Sequence, residues 1–252
     1  MYCANPGSGL NILDISDPTL PQVIGFAPLD NTMWDVEVNG DYAYLSQSHG
    51  VNAFNISDPY NPVEVGYYEY DNLHVRGMHI NGDLLYLVSQ TAELMVLDVS
   101  DSTNPTFLGQ SGNYADNSTL FEVNDHIITA NSSGLFTYDV FSPATPLYLS
   151  NEPASAAMDA IKVGDYFYLA GRNYISIFSV DVASTVYGDV DQSGEVNVGD
   201  VVYIVNFIFR GGVAPIPLRS ADANCDGFAN IGDAVNLISY IFRGGPAPGC
   251  GE

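Results

Sequence analysis

One stretch of sequence recurs along the chain from its start to position 185. Its copies are GLNILDISDP, GVNAFNISDP, ELMVLDVSDSTNP, GLFTYDVFSP and a degraded YISIFSVD. Between these copies an aspartate marks the same turn each time, namely Asp41, Asp83, Asp125 and Asp165. The even spacing is a period of roughly 40 residues, which indicates copies of one supersecondary unit packed side by side.

Each copy predicts four short antiparallel strands. Val36, Val38, Tyr42 and Tyr44 alternate at period two around the Asn-Gly-Asp turn at 39–41, which is a strong hairpin signal. A Ser-Asp-Pro turn follows the next strand, and stretches such as PQVIGFA and PVEVGYY supply a fourth. Four strands in about 40 residues is the pattern of a β-propeller blade. A β-sandwich is the competing all-β fold, but it does not need a fixed period.

The repeat count predicts an incomplete propeller over residues 1–182, with three complete units and two partial ones. The first copy lacks its opening strand, and the last has no fourth strand before residue 185. Either the two partial units combine into one blade, or the chain is a fragment of a larger propeller, and the sequence favours the fragment. Asp14, Asn55, Asp98 and Asp139 recur once per copy, which predicts a structural role as acceptors of turn hydrogen bonds.

These motifs carry a family resemblance. GLNILDISDP, PQVIGF and VNGDYAYLS resemble the LVIVD-type repeats of bacterial surface β-propellers, over roughly residues 2–182. The resemblance implies a β-propeller fold and a place outside the cell. It names no ligand for the propeller.

Two acid-rich twelve-residue stretches lie near the C-terminus: DVDQSGEVNVGD at 189–200 and DANCDGFANIGD at 222–233. Their spacing fits a calcium loop, which places oxygen ligands at positions 1, 3, 5, 7, 9 and 12 and a glycine at position 6. The predicted ligands are Asp189, Asp191, Ser193, the Glu195 carbonyl, Asn197 and Asp200 in the first loop, and Asp222, Asn224, Asp226, the Phe228 carbonyl, Asn230 and Asp233 in the second. The sequence thus predicts two Ca²⁺ ions.

These loops depart from a standard EF-hand because position 12 is Asp and because no helical pattern precedes Asp189. In both respects they resemble the dockerin type I module. The resemblance implies a calcium-dependent module at 188–252, after a linker at 183–187, that binds a cohesin-like module. Family recognition positions 10 and 11 are Val198-Gly199 and Ile231-Gly232, where many dockerins have Ser-Thr.

Each loop leads into an amphipathic helix. Val201, Ile204 and Ile208 form one apolar stripe, and Ala234, Leu237, Ile238 and Ile241 form its counterpart, so the stripes are expected to pack together. Residues off the stripes are expected to contact a partner or the protein's own propeller. The partner-binding candidates are Val198, Gly199, Val202, Ile231, Gly232 and Val235.

The three cysteines allow one internal disulfide. Cys225 occupies position 4 of the second loop, and the tail GGPAPGC can turn back over the second helix to bring Cys250 near it. We therefore predict a Cys225–Cys250 bridge, with free thiols as the alternative.

Charge narrows the possible partners. Lys+Arg is 6 against Asp+Glu at 30, for a net charge of −24, so nucleic acid and anionic membrane surfaces are poor partners and no nucleic-acid binding is expected. No stretch is long and apolar enough for membrane insertion, and no catalytic motif is visible. The leading hypothesis is a non-enzymatic, secreted or surface-attached bacterial protein. The alternative is an extracellular carbohydrate-active enzyme, or its accessory subunit, in polysaccharide breakdown.

Overall fold

The computed structural model describes residues 1–30, 32–70, 74–89, 94–111, 117–123, 126–131, 134–153, 157–163, 166–171, 175–179 and 186–249. The chain divides into two compact units. The first contains Met1–Tyr138 and Pro143–Val180, and the second contains Asp139–Ser142 and Asp181–Glu252. The linker predicted at 183–187 lies mostly outside the described residues.

The first unit is built from antiparallel sheets that follow one another along the chain. The first sheet has three strands, β1 (Tyr2–Asn5), β2 (Gly9–Asp14) and β3 (Gln22–Pro28). The second sheet has four strands, β4 (Met33–Asn39), β5 (Tyr42–Gln47), β6 (Gly50–Asn55) and β7 (Val63–Glu69). Within each sheet the strands pair in chain order, as the hairpin signals predict.

The third and fourth sheets repeat this pattern. The third consists of β8 (Val75–Asn81), β9 (Leu84–Ser89), β10 (Met95–Asp98) and β11 (Thr106–Gln110). The fourth consists of β12 (Asn117–Val123), β13 (His126–Asn131), β14 (Gly134–Asp139) and β15 (Leu147–Pro153). The fifth sheet, in the residues described, has β16 (Ala157–Val163), β17 (Tyr166–Gly171) and β18 (Ile175–Ser179). The mainly β, propeller-type architecture predicted from the repeats is confirmed.

Each sheet packs against the next through apolar side chains. Leu10 and Ile12 of the first sheet share a core with Leu45 and Phe54 of the second. Val51 of the second sheet packs in the same way with residues of the third. The first strands of successive sheets, β4, β8, β12 and β16, also contact one another. The core of this unit therefore lies between sheets, as in propeller blades.

The recurring polar residues hold the turns. The Oδ1 atoms of Asp14, Asn55, Asp98 and Asp139 each accept the backbone N–H two residues further on, at 2.8–3.0 Å. Hydrogen bonds with the backbone and side chain of Ser16 lower the pKa of Asp14, and those with the side chain and backbone of Ser100 lower the pKa of Asp98. The structural role predicted for these four residues is confirmed. Gly40 and Gly82 adopt a φ of +55° at the predicted hairpin turns, a conformation that favours glycine.

The second unit contains two helices of 13 residues, α1 (Val198–Arg210) and α2 (Ile231–Arg243), and a 3₁₀ helix at Leu218–Ala221. The two α-helices pack against each other around Ile204 and Leu237, which are fully buried. Each helix ends at a glycine in the left-handed conformation. None of the helices in the described residues could span a membrane.

Candidate metal centre

Three carboxylates of the first acidic loop converge. Ligand oxygens of Asp189, Asp191 and Asp200 all lie within 4.8 Å of one another. Asp189 and Asp200 are buried, and Asp191 is exposed. Hard carboxylate oxygens grouped in this way suit Ca²⁺, which takes six to eight oxygens. The loop therefore fits the calcium ion that its spacing predicts.

The backbone of this loop folds around its own carboxylates. Asp189 accepts the backbone N–H groups of Ser193 and Gly194 through its two oxygens, both at 2.9 Å. Asp191 accepts the Ser193 N–H as well, at 3.0 Å. The Glu195 carbonyl receives hydrogen bonds from the Ser193 hydroxyl and the Asn197 amide. These contacts link predicted ligand positions 1, 3, 5, 7 and 9 in one hydrogen-bonded loop.

Asp200 belongs to the loop and to the helix at once. Its Oδ1 accepts the Val190 N–H at 2.6 Å, and its Oδ2 accepts the Asn197 N–H at 2.8 Å. Asn197 in turn caps α1 by accepting the Gly199 N–H at 2.7 Å. The pair forms a capping box in which a ligand residue occupies the third helical position. Asn197 is at loop position 9, which in calcium loops often contacts the ion through water.

The second loop repeats these contacts. Asp222 accepts the N–H groups of Asp226 and Gly227 at 3.0 and 3.1 Å. Asp233 accepts the N–H groups of Asn224 and Asn230 at 3.1 and 2.7 Å, completing the capping box of α2. The two loops thus share one hydrogen-bond arrangement, although among the described residues three carboxylates converge within 4.8 Å only in the first loop.

The Asn230 amide makes hydrogen bonds within the second loop. Its Nδ2 donates to the Asp226 carboxylate, at 3.2 Å to Oδ2, and to the Phe228 carbonyl, also at 3.2 Å. Asp226 and Phe228 supply predicted ligand oxygens, so a bound cation would replace these hydrogen bonds.

Backbone conformation is also shared between the loops. Position 4 has a positive φ in both, +58° at Gln192 and +60° at Cys225. Position 6 is a glycine with a φ of +87° at Gly194 and +84° at Gly227. A side chain with a Cβ is strained at such a φ, which explains glycine at position 6.

The pKa values of two carboxylates in the second loop shift in opposite directions. Burial raises the pKa of Asp233, and the charges of Asp222 and Asp226 raise it further. Hydrogen bonds from Asn224 and Asn230 lower the pKa of Asp226. A nearby cation would oppose the rise in the pKa of Asp233, because an opposite charge favours the ionised carboxylate.

Family comparison agrees with this geometry. The LVIVD repeat family matches residues 1–26, 32–70 and 74–115, and the Dockerin type I domain family matches residues 187–242. The chain carries LVIVD repeats followed by a dockerin type I domain. Dockerin type I domains bind calcium, bind cohesin modules and occur in extracellular or cell-surface proteins. The second unit is therefore a calcium-dependent protein–protein anchoring module.

Similar solved structures support the fold of the first unit. The chain resembles the computationally designed Ika8 protein at a TM-score of 0.53 and 11% identity, with 71% of this chain and 54% of Ika8 covered. It resembles the designed Ika4 protein at a TM-score of 0.52 and 7% identity, with 63% of this chain and 98% of Ika4 covered. The chain thus spans about half the length of Ika8. No curated protein matches the chain.

The partner-binding candidates lie at the start of each dockerin helix. Val198, Val202, Ile231 and Val235 are exposed, the last to 60%. The glycines at loop position 11 are half-buried. A Cβ on Gly199 would lie 3.0 Å from an Asp191 oxygen, and a Cβ on Gly232 would come equally close to the side chains of Asn230 and Asn224. Glycine at position 11 therefore avoids a steric clash with the loop side chains. The four exposed apolar side chains remain the candidates for contact with a partner.

Two helix residues differ from the sequence expectation. Ile238, predicted to lie in the apolar stripe, is 38% exposed because Leu237 fills the contact between the helices. Val205, which is not one of the stripe residues, is partly buried against the core. Sequence reasoning also missed Val190 and Ala223 at loop position 2, which are buried in that core. An apolar residue at position 2 of both loops was the available signal.

The structure describes the bonding state of two of the three cysteines. Cys225 is disulfide-bonded, whereas Cys3 is free. Cys250 lies outside the described residues, so the Cys225–Cys250 pairing stays a prediction. Quantitative thiol labelling of the unreduced, denatured chain should find one reactive thiol, and Cys3→Ser should lower the count to none. Three reactive thiols in the unreduced protein would reject the bridge.

Removing one position-12 carboxylate should remove one calcium site. We expect Asp200→Ala or Asp233→Ala to lower the stoichiometry from two ions to one in isothermal titration calorimetry, because each variant loses a carboxylate that closes its loop. Asp58→Ala serves as the control, since Asp58 accepts a turn hydrogen bond from Tyr60 outside both loops. Unchanged stoichiometry in both loop variants would contradict the ligand assignment.

Proposed function

We propose that this chain is a non-enzymatic bacterial protein that acts outside the cell, where its dockerin domain anchors it to a cohesin-type module. Two calcium ions, one per loop, hold the dockerin in its binding form. The LVIVD-repeat unit serves as the interaction scaffold that anchoring brings to the complex.

The observation that carries this proposal is the repeated loop–helix arrangement within the dockerin match. Carboxylates converge in the first loop, both position-12 aspartates complete a capping box, and both helices begin with exposed apolar side chains. A cation therefore fixes the start of each helix, which is where the candidate partner residues lie. This geometry connects calcium binding directly to presentation of the contact surface.

Charge supports a protein partner. With a net charge of −24 the chain repels nucleic acid and anionic lipid surfaces. The candidate contact residues Val198, Val202, Ile231 and Val235 carry no charge. Affinity for a cohesin-type module should therefore depend weakly on salt once calcium is saturating.

A binding assay tests the proposal. The full chain is passed over a panel of immobilised cohesin modules by surface plasmon resonance, first in calcium and then in chelator. We expect binding to at least one module in calcium and none in chelator. A chain that binds calcium but binds no cohesin in the panel would reject the cohesin partner while leaving the metal sites intact.

One observation favours an enzymatic alternative. His79 on β8 lies 3.4 Å from Glu122 on β12, measured from Nε2 to Oε2. The hydrogen bond with His79 lowers the pKa of Glu122, whereas burial raises the pKa of Glu37 on β4. Carboxylates with pKa values shifted in opposite directions can divide acid and base roles between them.

The alternative is an extracellular carbohydrate-active enzyme, or its accessory subunit, that the dockerin delivers to a complex. Hydrolysis of a panel of soluble polysaccharides by the full chain tests it, with Glu37→Gln and Glu122→Gln as variants. Activity that both variants abolish would support the enzyme. Activity unaffected by either would place the reaction elsewhere, and no activity in the wild-type chain supports the non-enzymatic proposal.

A further inference from the structure

The first strands of the second to fifth sheets each contain a β-bulge near their start. The pairing register shifts by one residue at the same place in β4, β8, β12 and β16. A bulge inserts an extra residue and redirects a side chain, and bulges are over-represented next to active sites. The bulges of the neighbouring strands β4 and β8 contain Trp34 and Arg76.

Four side chains meet at the bulges of β4 and β8. The Arg76 guanidinium carbon lies 4.8 Å from the centre of the Trp34 ring, which is a cation–π contact. The His74 and Trp34 rings form a T-shaped pair at 6.2 Å between centroids, and the ring of His49, on the β5–β6 turn, lies 6.5 Å from that of His74. His49 is exposed, and the other three residues are half-buried. We call Trp34, His49, His74 and Arg76 the bulge cluster.

Backbone hydrogen bonds hold the bulge cluster in place. Asp35 accepts the N–H groups of Val36 and Met78, both at 2.8 Å, and so connects β4 with β8. The His74 N–H donates to the Ser48 carbonyl at 3.0 Å, which fixes the segment before β8 to the β5–β6 turn. His74 has a φ of +44°, which is uncommon outside glycine, and such residues concentrate at functional sites. The cluster is therefore preorganised, which lowers the entropic cost of binding a ligand.

The bulge cluster concentrates hydrogen-bond donors and positive charge in an acidic chain. It contains two of the four histidines, and Arg76 is one of three Lys or Arg residues before position 186. A guanidinium has five N–H donors, pairs with carboxylates in bidentate geometry and stacks on aromatic rings. The cluster has one permanent positive charge within a chain of net charge −24. A ligand with a single carboxylate therefore suits it better than a multiply charged anion.

The aromatic rings indicate the rest of the ligand. The Trp34 indole and the imidazoles of His49 and His74 offer ring surfaces, which suit a ligand with a ring-shaped body. A metal ion suits them less well. Among the residues that the structure describes, the only His, Cys, Asp and Glu side chains grouped closely enough to hold a metal are three aspartates of the first acidic loop.

We propose that the bulge cluster binds a small carboxylic acid built on a six-membered ring. Arg76 pairs with the carboxylate, His49 and His74 hydrogen-bond to its oxygens, and Trp34 packs against the ring. A sugar acid and an aromatic acid share this chemistry, and the experiment distinguishes them. All four residues belong to the β-sheet unit. Binding should therefore not require the dockerin or its cohesin-type partner.

Tryptophan fluorescence tests the proposal, because Trp34 is the only tryptophan in the sequence. The full chain in calcium is titrated with glucuronate and, separately, with benzoate, and isothermal titration calorimetry gives a second readout. We expect a saturable change with at least one of the two acids. Their neutral counterparts, glucose and benzamide, should bind about 10-fold more weakly or less, since they lack the charge-assisted hydrogen bonds. Absence of a saturable change with both acids would overturn the proposal, as would equal binding of the neutral counterparts.

Variants identify which residues hold the acid. Arg76→Gln should weaken binding by about 10-fold or more, and the exposed His49→Ala by about 3-fold. His74→Gly removes the imidazole and tolerates the positive φ, so it should also weaken binding. Arg243→Gln is the matched control, because Arg243 is exposed at the end of α2, and its affinity should equal that of the wild type. Unchanged affinity in a folded Arg76→Gln chain, or in both histidine variants, would reject the site, as would an equal loss in the control.

Discussion

Chelation of calcium should unfold the dockerin unit while leaving the β-sheet unit intact. Six aspartates occupy positions 1, 3, 5 and 12 of the two loops, namely Asp189, Asp191, Asp200, Asp222, Asp226 and Asp233. Asp200 and Asp233 are fully buried. Burial of an ionised carboxylate is costly unless a partner compensates its charge. Without a cation the native loops would have to retain these charges at close range.

Hydrogen exchange followed by mass spectrometry measures this effect in the full chain. We expect amides of α1 and α2 to lose protection by more than about 100-fold in chelator, since structural metal sites commonly couple binding to folding. Amides of β5 and β9 serve as the internal control and should not change. Retained protection of both helices in chelator would show that calcium is not needed for the fold.

Loss of both exposed helix faces should abolish partner binding. Val202→Asp alone should weaken binding to a cohesin-type module only a few-fold if the second helix can present its equivalent face. Val202→Asp combined with Val235→Asp should remove binding, because both apolar contact surfaces then carry a charge that must be desolvated. Both residues are more than half exposed, so the folded state should tolerate the changes.

The control for this experiment is a charge placed on another exposed side chain. Phe107→Asp on β11 alters a residue of the other unit and should leave cohesin binding unchanged. Calcium stoichiometry measured on each variant separates loss of the contact from loss of the loops. Binding that survives in the double variant would place the partner surface elsewhere.

The repeat and the loop spacing predicted most of the architecture. Strand alternation around Asn39 and Asn81 fixed the hairpins because the side-chain period of a strand and the Asn-Gly turn are local properties. The location of the two acidic loops could also be predicted, because calcium ligation requires particular residue types at particular spacings. These signals lie in short windows of sequence, where packing plays little part.

Features that depend on packing between distant residues were less accessible. Ile238 lies at a helical spacing that suits the core, yet Leu237 fills the contact between α1 and α2 and Ile238 stays exposed. The contact between His79 and Glu122 joins strands of two sheets, and nothing in the sequence aligns those positions across the repeat. The exposure of Ile175 and Ile177 could not be predicted from the sequence either, because the residues at the equivalent strand positions of the second sheet, Val51 and Ala53, are buried.

The shared carboxylate of each capping box has a thermodynamic consequence. Asp200 and Asp233 each take part in helix capping and are each predicted calcium ligands. An interaction that stabilises a helix should therefore raise the calcium affinity of its loop. A partner that covers Val202 and Val235 would therefore tighten calcium binding. The coupling is reciprocal, because two ligands that favour the same folded form must strengthen each other by the same factor. Detachment from an anchor would then loosen the metal, and dilution of calcium would release the anchor.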